Sequence, residues 1–215
     1  MFHNLLTIHN AICRFHDTDS NSLTKLKQVN NYFNQLYGYT GCEDIDYQNF
    51  IEFMQDTSYG DAQEIRAWVW QTCTEFGYYQ STDSDTAGPF FGGKPALPVK
   101  YYIDECTNIY GTQYNSASVA DAVAKVNAYY GGRDHMQSSY IVLPNGNIDP
   151  WHALGKLNSN ISTIIPVVID GKLKHGAGTA HCADMYASSL NDPPAMTSAR
   201  QTIASQIKQW LQQIN

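Results

Sequence analysis

Two side chains in this 215-residue sequence stand where a proton relay could be built, Asp149 and His181. Asp149 follows the run Ser138-Ser139-Tyr140-Ile141-Val142-Leu143, which Pro144, Asn145 and Gly146 stop and turn. His181 follows a second apolar, β-branched run, Ser162 to Asp170, after a loop holding Gly171, Gly176 and Gly178. Both runs are short and bounded by turn residues, so both read as buried strands. A carboxylate and an imidazole on loops beyond successive strands can share one task. The carboxylate fixes the imidazole tautomer and stabilises its cation, and the imidazole takes the proton of a nucleophile. Taken singly, Asp149 reads as a turn former; the pairing gives it a chemical meaning.

Strand, Asp, strand, His is the second half of the order Ser, Asp, His found in α/β-hydrolases. Their Ser sits on a Gly-x-Ser-x-Gly elbow. No Ser or Cys in this chain has Gly two residues before and two after it. A metal site built from His175 and His181 is a poor alternative, because both lie in one Gly-rich loop with no third ligand indicated. Neither a metal nor a cofactor is expected.

The elements that must position these residues come in a mixed order. Residues 1 to about 57 read as helical: Leu23, Leu26, Val29, Asn30, Phe33, Leu36 and Tyr37 form one amphipathic face ended by Gly38 and Gly41, and Tyr47, Phe50, Ile51 and Met54 mark a shorter helix. Ser58-Tyr59-Gly60 is a candidate boundary. In Ile65 to Phe76, Trp68, Trp70, Thr72 and Thr74 alternate with Ala67, Val69, Gln71 and Cys73, which predicts a strand with Glu75 at its end. Residues 81–97 read as a long loop. Ser118 to Tyr130 is a helix with Ser118 as N-cap, Asp121 at the capping-box position and Gly131 as the stop. A last helix follows Asp192-Pro193-Pro194, with Ile203, Ile207, Trp210, Leu211 and Ile214 on its buried face. This is an incomplete α/β sheet with exposed edges.

Composition sets outer limits. Hydrophobic residues make up 43% and charged residues 15%, which describes a globular chain rather than a disordered one. Net charge −7 argues against a nucleic-acid surface. No apolar run approaches the ~20 residues of a membrane span. The N-terminal stretch has neither a basic start nor a clean apolar core, so it does not read as a signal peptide. Tyr (15) outnumbers Lys and Arg together (13), which suits a secreted or lumenal protein. None of the five cysteines forms a CxxC pair. Cys73 and Cys106 are the first disulfide candidates and Cys13 and Cys42 the second, with Cys182 left over. Asn160-Ile161-Ser162 is a glycosylation sequon on a predicted surface loop.

Three stretches carry a family resemblance: Trp70-Gln71-Thr72-Cys73-Thr74-Glu75-Phe76-Gly77, Asn145-Gly146-Asn147-Ile148-Asp149-Pro150-Trp151-His152, and Gly178-Thr179-Ala180-His181-Cys182-Ala183-Asp184-Met185-Tyr186. They resemble the serine carboxypeptidase family of lysosomal Pro-X carboxypeptidase, dipeptidyl peptidase II and thymus-specific serine protease, with wording closer to the thymus-specific branch. The resemblance implies an α/β-hydrolase with an inserted helical cap. Residues 1–60 would be the remainder of that cap, and residues 61–215 the C-terminal part of the hydrolase domain. It carries the catalytic Asp onto Asp149, the catalytic His onto His181, and an aromatic lining the substrate pocket onto Trp151. The family's Ser lies ahead of the cap and has no counterpart here. The implied activity is exopeptidase cleavage near proline or small residues, in a lysosomal or secreted glycoprotein that is often dimeric. The expected partner is a peptide substrate, not nucleic acid or membrane. The competing reading is a truncated, non-catalytic paralogue or isoform that binds peptides or partners.

Overall fold

A computed structural model describes residues 5–18, 21–42, 44–60, 62–84, 96–170 and 179–213. It divides into two compact units, Met1–Cys42 with Ser138–Asn215, and Glu43–Gln137. Predictions that fall on Gly171, His175, Gly176, Gly178, Ile214 and residues 85–95 of the long loop lie outside the described residues.

The first unit begins with helices α1 (Leu5–Thr18) and α2 (Ser22–Tyr37). Asn21 caps α2 by accepting from the Leu23 and Thr24 amides, and Gly38 ends it at φ 73°. That is the left-handed conformation glycine adopts without strain. Phe15 packs edge-on to Tyr32 at 5.8 Å. The predicted amphipathic face is only partly covered: Leu23 and Leu26 are exposed.

After the second unit the chain forms β1 (Ile141–Gly146), β2 (Ile164–Ile169) and α7 (Pro194–Leu211). The strands pair in parallel, with Ile141 opposite Ile164 and Gly146 opposite Ile169. β1 runs on through Pro144 to Gly146 instead of stopping at Leu143. The reason is the pleat. The Ile141 and Asn147 amides both donate to β2 or the residue before it, so odd-numbered amides face the partner and Pro144, lacking an N–H, points away from it. Met196 and Ala199 of α7 pack on Ile169 to form the core of this part.

The predicted buried face of α7 is only half buried. Its 18 residues reach about 27 Å, further than two strands can cover. Ile207 and Leu211 are 45% and 59% exposed. Together with Tyr140, Val142, Ile203 and Trp210 they line an apolar groove of about 620 Å³.

Among the described residues, the regular elements of the second unit are all helices: α3 (Tyr47–Gln55), α4 (Ala62–Gln71), α5 (Val99–Tyr110) and α6 (Ser116–Tyr130). Ile65 to Phe76 is therefore not a strand. It is α4 continued by a π-helical turn, Thr72–Phe76. The alternating Trp and Thr residues mimic a period of two. Burial follows the helical spacing of Ala62, Val69 and Cys73 instead, while Trp68, Trp70 and Glu75 are exposed. α6 starts two residues before Ser118. Asn115 is the N-cap, and Ser118 closes the capping box from inside the helix.

Cys73 and Cys106 form a disulfide with Cα atoms 5.7 Å apart, buried against Val119 and Val69. Closing that 33-residue separation restrains the unfolded chain by about 3–4 kcal/mol on the entropic model. Cys13 and Cys42 are not bridged; both are free and exposed, as is Cys182. The whole of α2, about 24 Å long at its rise per residue, stands between Cys13 and Cys42 in the chain.

Glu105 is buried in this unit beside Tyr101, and desolvation pushes its carboxyl above the ordinary range, only partly offset by the Tyr101 hydrogen bond. A carboxyl raised on folding costs stability once the unfolded chain ionises. The cost is absent below the unfolded pKa and complete above the raised one. Glu105→Gln should therefore raise the melting temperature at neutral pH, with the gain fading as pH falls through the carboxylate range. A gain that is equal at all pH values would show that ionisation is not its source.

Candidate active site

Asp149 owes its position to the end of β1. Gly146 closes the strand, and its carbonyl accepts from the Asp149 amide at 3.2 Å. Asp149 then caps a one-turn 3₁₀ helix, Pro150–Ala153, accepting from the Trp151 amide through Oδ1 at 2.9 Å. Pro150 suits the first helical position because its φ is already fixed there. One carboxylate oxygen is thus spent on holding the side chain still. The other, Oδ2, lies 2.8 Å from His181 Nδ1. Asp149 is 8% exposed, whereas the His181 side chain is 60% exposed.

Contacts from the end of β1 and from α7 bring His181 to this point. The Ile148 amide donates to Thr179 O at 3.2 Å. Asn147 Oδ1 accepts from the Thr179 amide at 2.8 Å, while Asn147 Nδ2 donates to Asp170 at 2.9 Å. One side chain thereby ties the end of β2 to the segment carrying His181. Beyond the histidine, Arg200 of α7 pairs with Asp192 and donates to Tyr186 O at 2.8 Å. This holds the turn Ala183–Met185 against the helix. Gly146 permits the closest approach of all. A Cβ there would lie 2.3 Å from Thr179 O and 2.8 Å from Ala180 O, so no larger residue fits without moving the segment before His181.

The structure brings Asp149, His181 and Trp151 together, with the indole ring centroid 6.4 Å from the imidazole. Asn160 is exposed at the turn before β2. The sequence assigns no role at the site to three contributors: Gly146, which reads as a turn residue, Asn147 and Cys182. The Cys182 thiol lies 3.4 Å from His181 Nε2. Its place directly after the histidine is the one hint of that contact. Among the described residues no cluster of His, Cys, Asp and Glu could hold a metal, and no helix is long and apolar enough to cross a membrane.

Chemically, the arrangement is a base with its orienting carboxylate. With Nδ1–H donating to Asp149, Nε2 carries the lone pair and can accept a proton from a group placed against it.

The model of the serine carboxypeptidase S28 family matches residues 2–203. A Caenorhabditis elegans protein, putative serine protease K12H4.7, is 61% identical over 207 residues, covering 96% of this chain and 39% of its own length. Human thymus-specific serine protease is 36% identical over 149 residues, covering 68% of this chain and 26% of its own length. Bovine lysosomal Pro-X carboxypeptidase is 26% identical over 147 residues, again covering 68% and 26%. No solved structure matches. The chain thus spans about two fifths or less of these relatives. With a family match over nearly its full length and a relative sharing more than half of its residues, the chain belongs to the serine carboxypeptidase S28 family.

Proposed function

We propose that this chain supplies the Asp and His of a serine-type exopeptidase, and that the nucleophile comes from polypeptide outside these 215 residues. The observation that carries the reading is the 2.8 Å contact between Asp149 and His181 in a member of a serine peptidase family. Asp149 orients the imidazole, His181 takes the proton of the attacking hydroxyl, and Trp151 lines the pocket for the residue before the scissile bond. The substrates are peptides cut near proline or small residues. The uncovered groove between β1 and α7 supports a larger sheet, because an α/β-hydrolase would lay further strands and side chains against that apolar face.

In this reading residues 1–60 are the remainder of a helical cap and residues 61–215 belong to the hydrolase domain. Limited proteolysis cutting first near residue 60 would support that division. A first cut near residue 137 would favour the boundary that packing draws around Glu43–Gln137. The name of lysosomal Pro-X carboxypeptidase supports a lysosomal placement; a secreted alternative, glycosylation at Asn160 and a homodimer are carried by the family resemblance alone.

Acyl transfer needs a nucleophile, a base and an oxyanion hole together. The isolated chain should therefore neither cleave peptides nor label with a fluorophosphonate, and its open apolar groove should make it poorly soluble. A longer polypeptide carrying a Gly-x-Ser-x-Gly elbow ahead of these residues should label. Stoichiometric labelling of the isolated chain would sink the division of labour, and a longer polypeptide that never labels would favour a non-catalytic binding protein.

A further inference from the structure

We propose that Cys182 is a reactive thiol, activated by the Asp149–His181 pair and open to modification by soft carbon electrophiles. The proposal stands on the geometry of these three residues alone and does not require the peptidase reading. The Cys182 backbone is left-handed, at φ 51°. Its Sγ lies 3.4 Å from His181 Nε2, on the side of the ring opposite the nitrogen that Asp149 holds at 2.8 Å. The carboxylate fixes the proton on Nδ1 and leaves Nε2 as the acceptor. A thiol against that lone pair can surrender its proton to it, and the thiolate, not the thiol, is the nucleophile. The three groups form a connected Cys–His–Asp series, and the thiol is exposed, so a small reagent can reach it.

The step balances simply. The thiol proton passes to Nε2 and the sulfur lone pair attacks the methylene carbon of an alkylating agent. An S–C bond forms, the carbon–halogen bond breaks and halide leaves. The imidazolium then returns its proton to water. The expected product is the S-alkylated thiol, which does not turn over.

Cys13 and Cys42 are also free and exposed and provide a reference within the same molecule. The test treats the 215-residue chain at neutral pH with limiting iodoacetamide and follows each free thiol by peptide mass mapping. Cys182 should be alkylated about tenfold faster than Cys13 and Cys42. In His181→Gln or Asp149→Asn its rate should fall to theirs, while theirs stay unchanged. Cys13 and Cys42 are already exposed and would not register unfolding, so each variant is first shown by circular dichroism to keep the spectrum and melting transition of the unsubstituted chain. Equal rates for the three thiols in the unsubstituted chain would overturn the proposal without any variant. So would a fast Cys182 that keeps its rate after His181→Gln.

Discussion

Asp149→Asn should lower kcat by roughly 10⁴-fold in a polypeptide that joins this chain to its nucleophile-bearing part, with little change in KM. The expectation follows from how the two carboxylate oxygens are used. Oδ1 is held by the Trp151 amide, so Oδ2 alone faces the imidazole, at 2.8 Å. An amide preserves the shape of the side chain. If its oxygen keeps the Trp151 amide, its NH₂ must face His181 Nδ1. A donor facing Nδ1 forces the ring proton onto Nε2, and the base then presents a proton where it needs a lone pair. If the amide flips, the Trp151 amide meets a donor and the 3₁₀ turn loses its cap, worth typically about 1 kcal/mol. In neither orientation does a negative charge remain to stabilise the imidazolium. His181→Ala should cost at least as much, since no base remains. Steady-state kinetics on a peptide substrate decide the matter: an Asp149→Asn variant retaining more than about a tenth of wild-type kcat would remove Asp149 from the relay.

The site is more legible in the sequence than the fold around it, for a physical reason. Ile141-Val142-Leu143 and Ile164 to Ile169 are β-branched runs ended by turn residues, and a buried parallel strand leaves little else for such a run to be. Polar groups that stand just beyond two such strands are brought to the same end of the sheet, which is why the sequence alone pairs Asp149 with His181. Ile65 to Phe76 misleads because its large aromatics alternate, and alternation is the mark of a half-buried strand. In the structure those rings are not the residues that decide. Trp70 packs edge-on to Tyr110 and Tyr114 at 5.1 and 5.0 Å from a partly exposed position, and the small residues Ala62 and Cys73 take the interior. Ser118 looks like the cap of α6 although it serves from inside the helix, its hydroxyl accepting from the Asn115 amide at 2.8 Å. Asn147 is not legible at all. Its function is to join Asp170 to Thr179, both far from it in the chain, and no local pattern encodes that.

Gly146→Ala should be the most damaging substitution that leaves every polar group of the site intact. The position needs glycine for space and not for backbone freedom, since it is not among the positive-φ glycines. An added methyl would lie 2.3 Å from Thr179 O and 2.8 Å from Ala180 O. Both atoms are backbone, so no side-chain rotation relieves the clash. Either β1 withdraws from β2 or the Thr179–Ala180 segment moves outward by about 1 Å, enough to reach ordinary van der Waals separation. The strand is held by its ladder from Ile141 to Asn147, whereas the segment is held chiefly by the Ile148 and Asn147 contacts. The segment should therefore yield, and His181 should move with it. A misplacement of about 1 Å in a reacting group costs on the order of 10²-fold in rate. In the assembled peptidase Gly146→Ala should thus lower kcat by about that factor while fluorophosphonate labelling becomes slow rather than absent. In the isolated chain the same displacement should slow Cys182 alkylation, because the thiol and the ring no longer share one geometry with Asp149. Full activity together with an unchanged alkylation rate in Gly146→Ala would mean that the close approach of β1 to residues 179–180 does not set the position of His181.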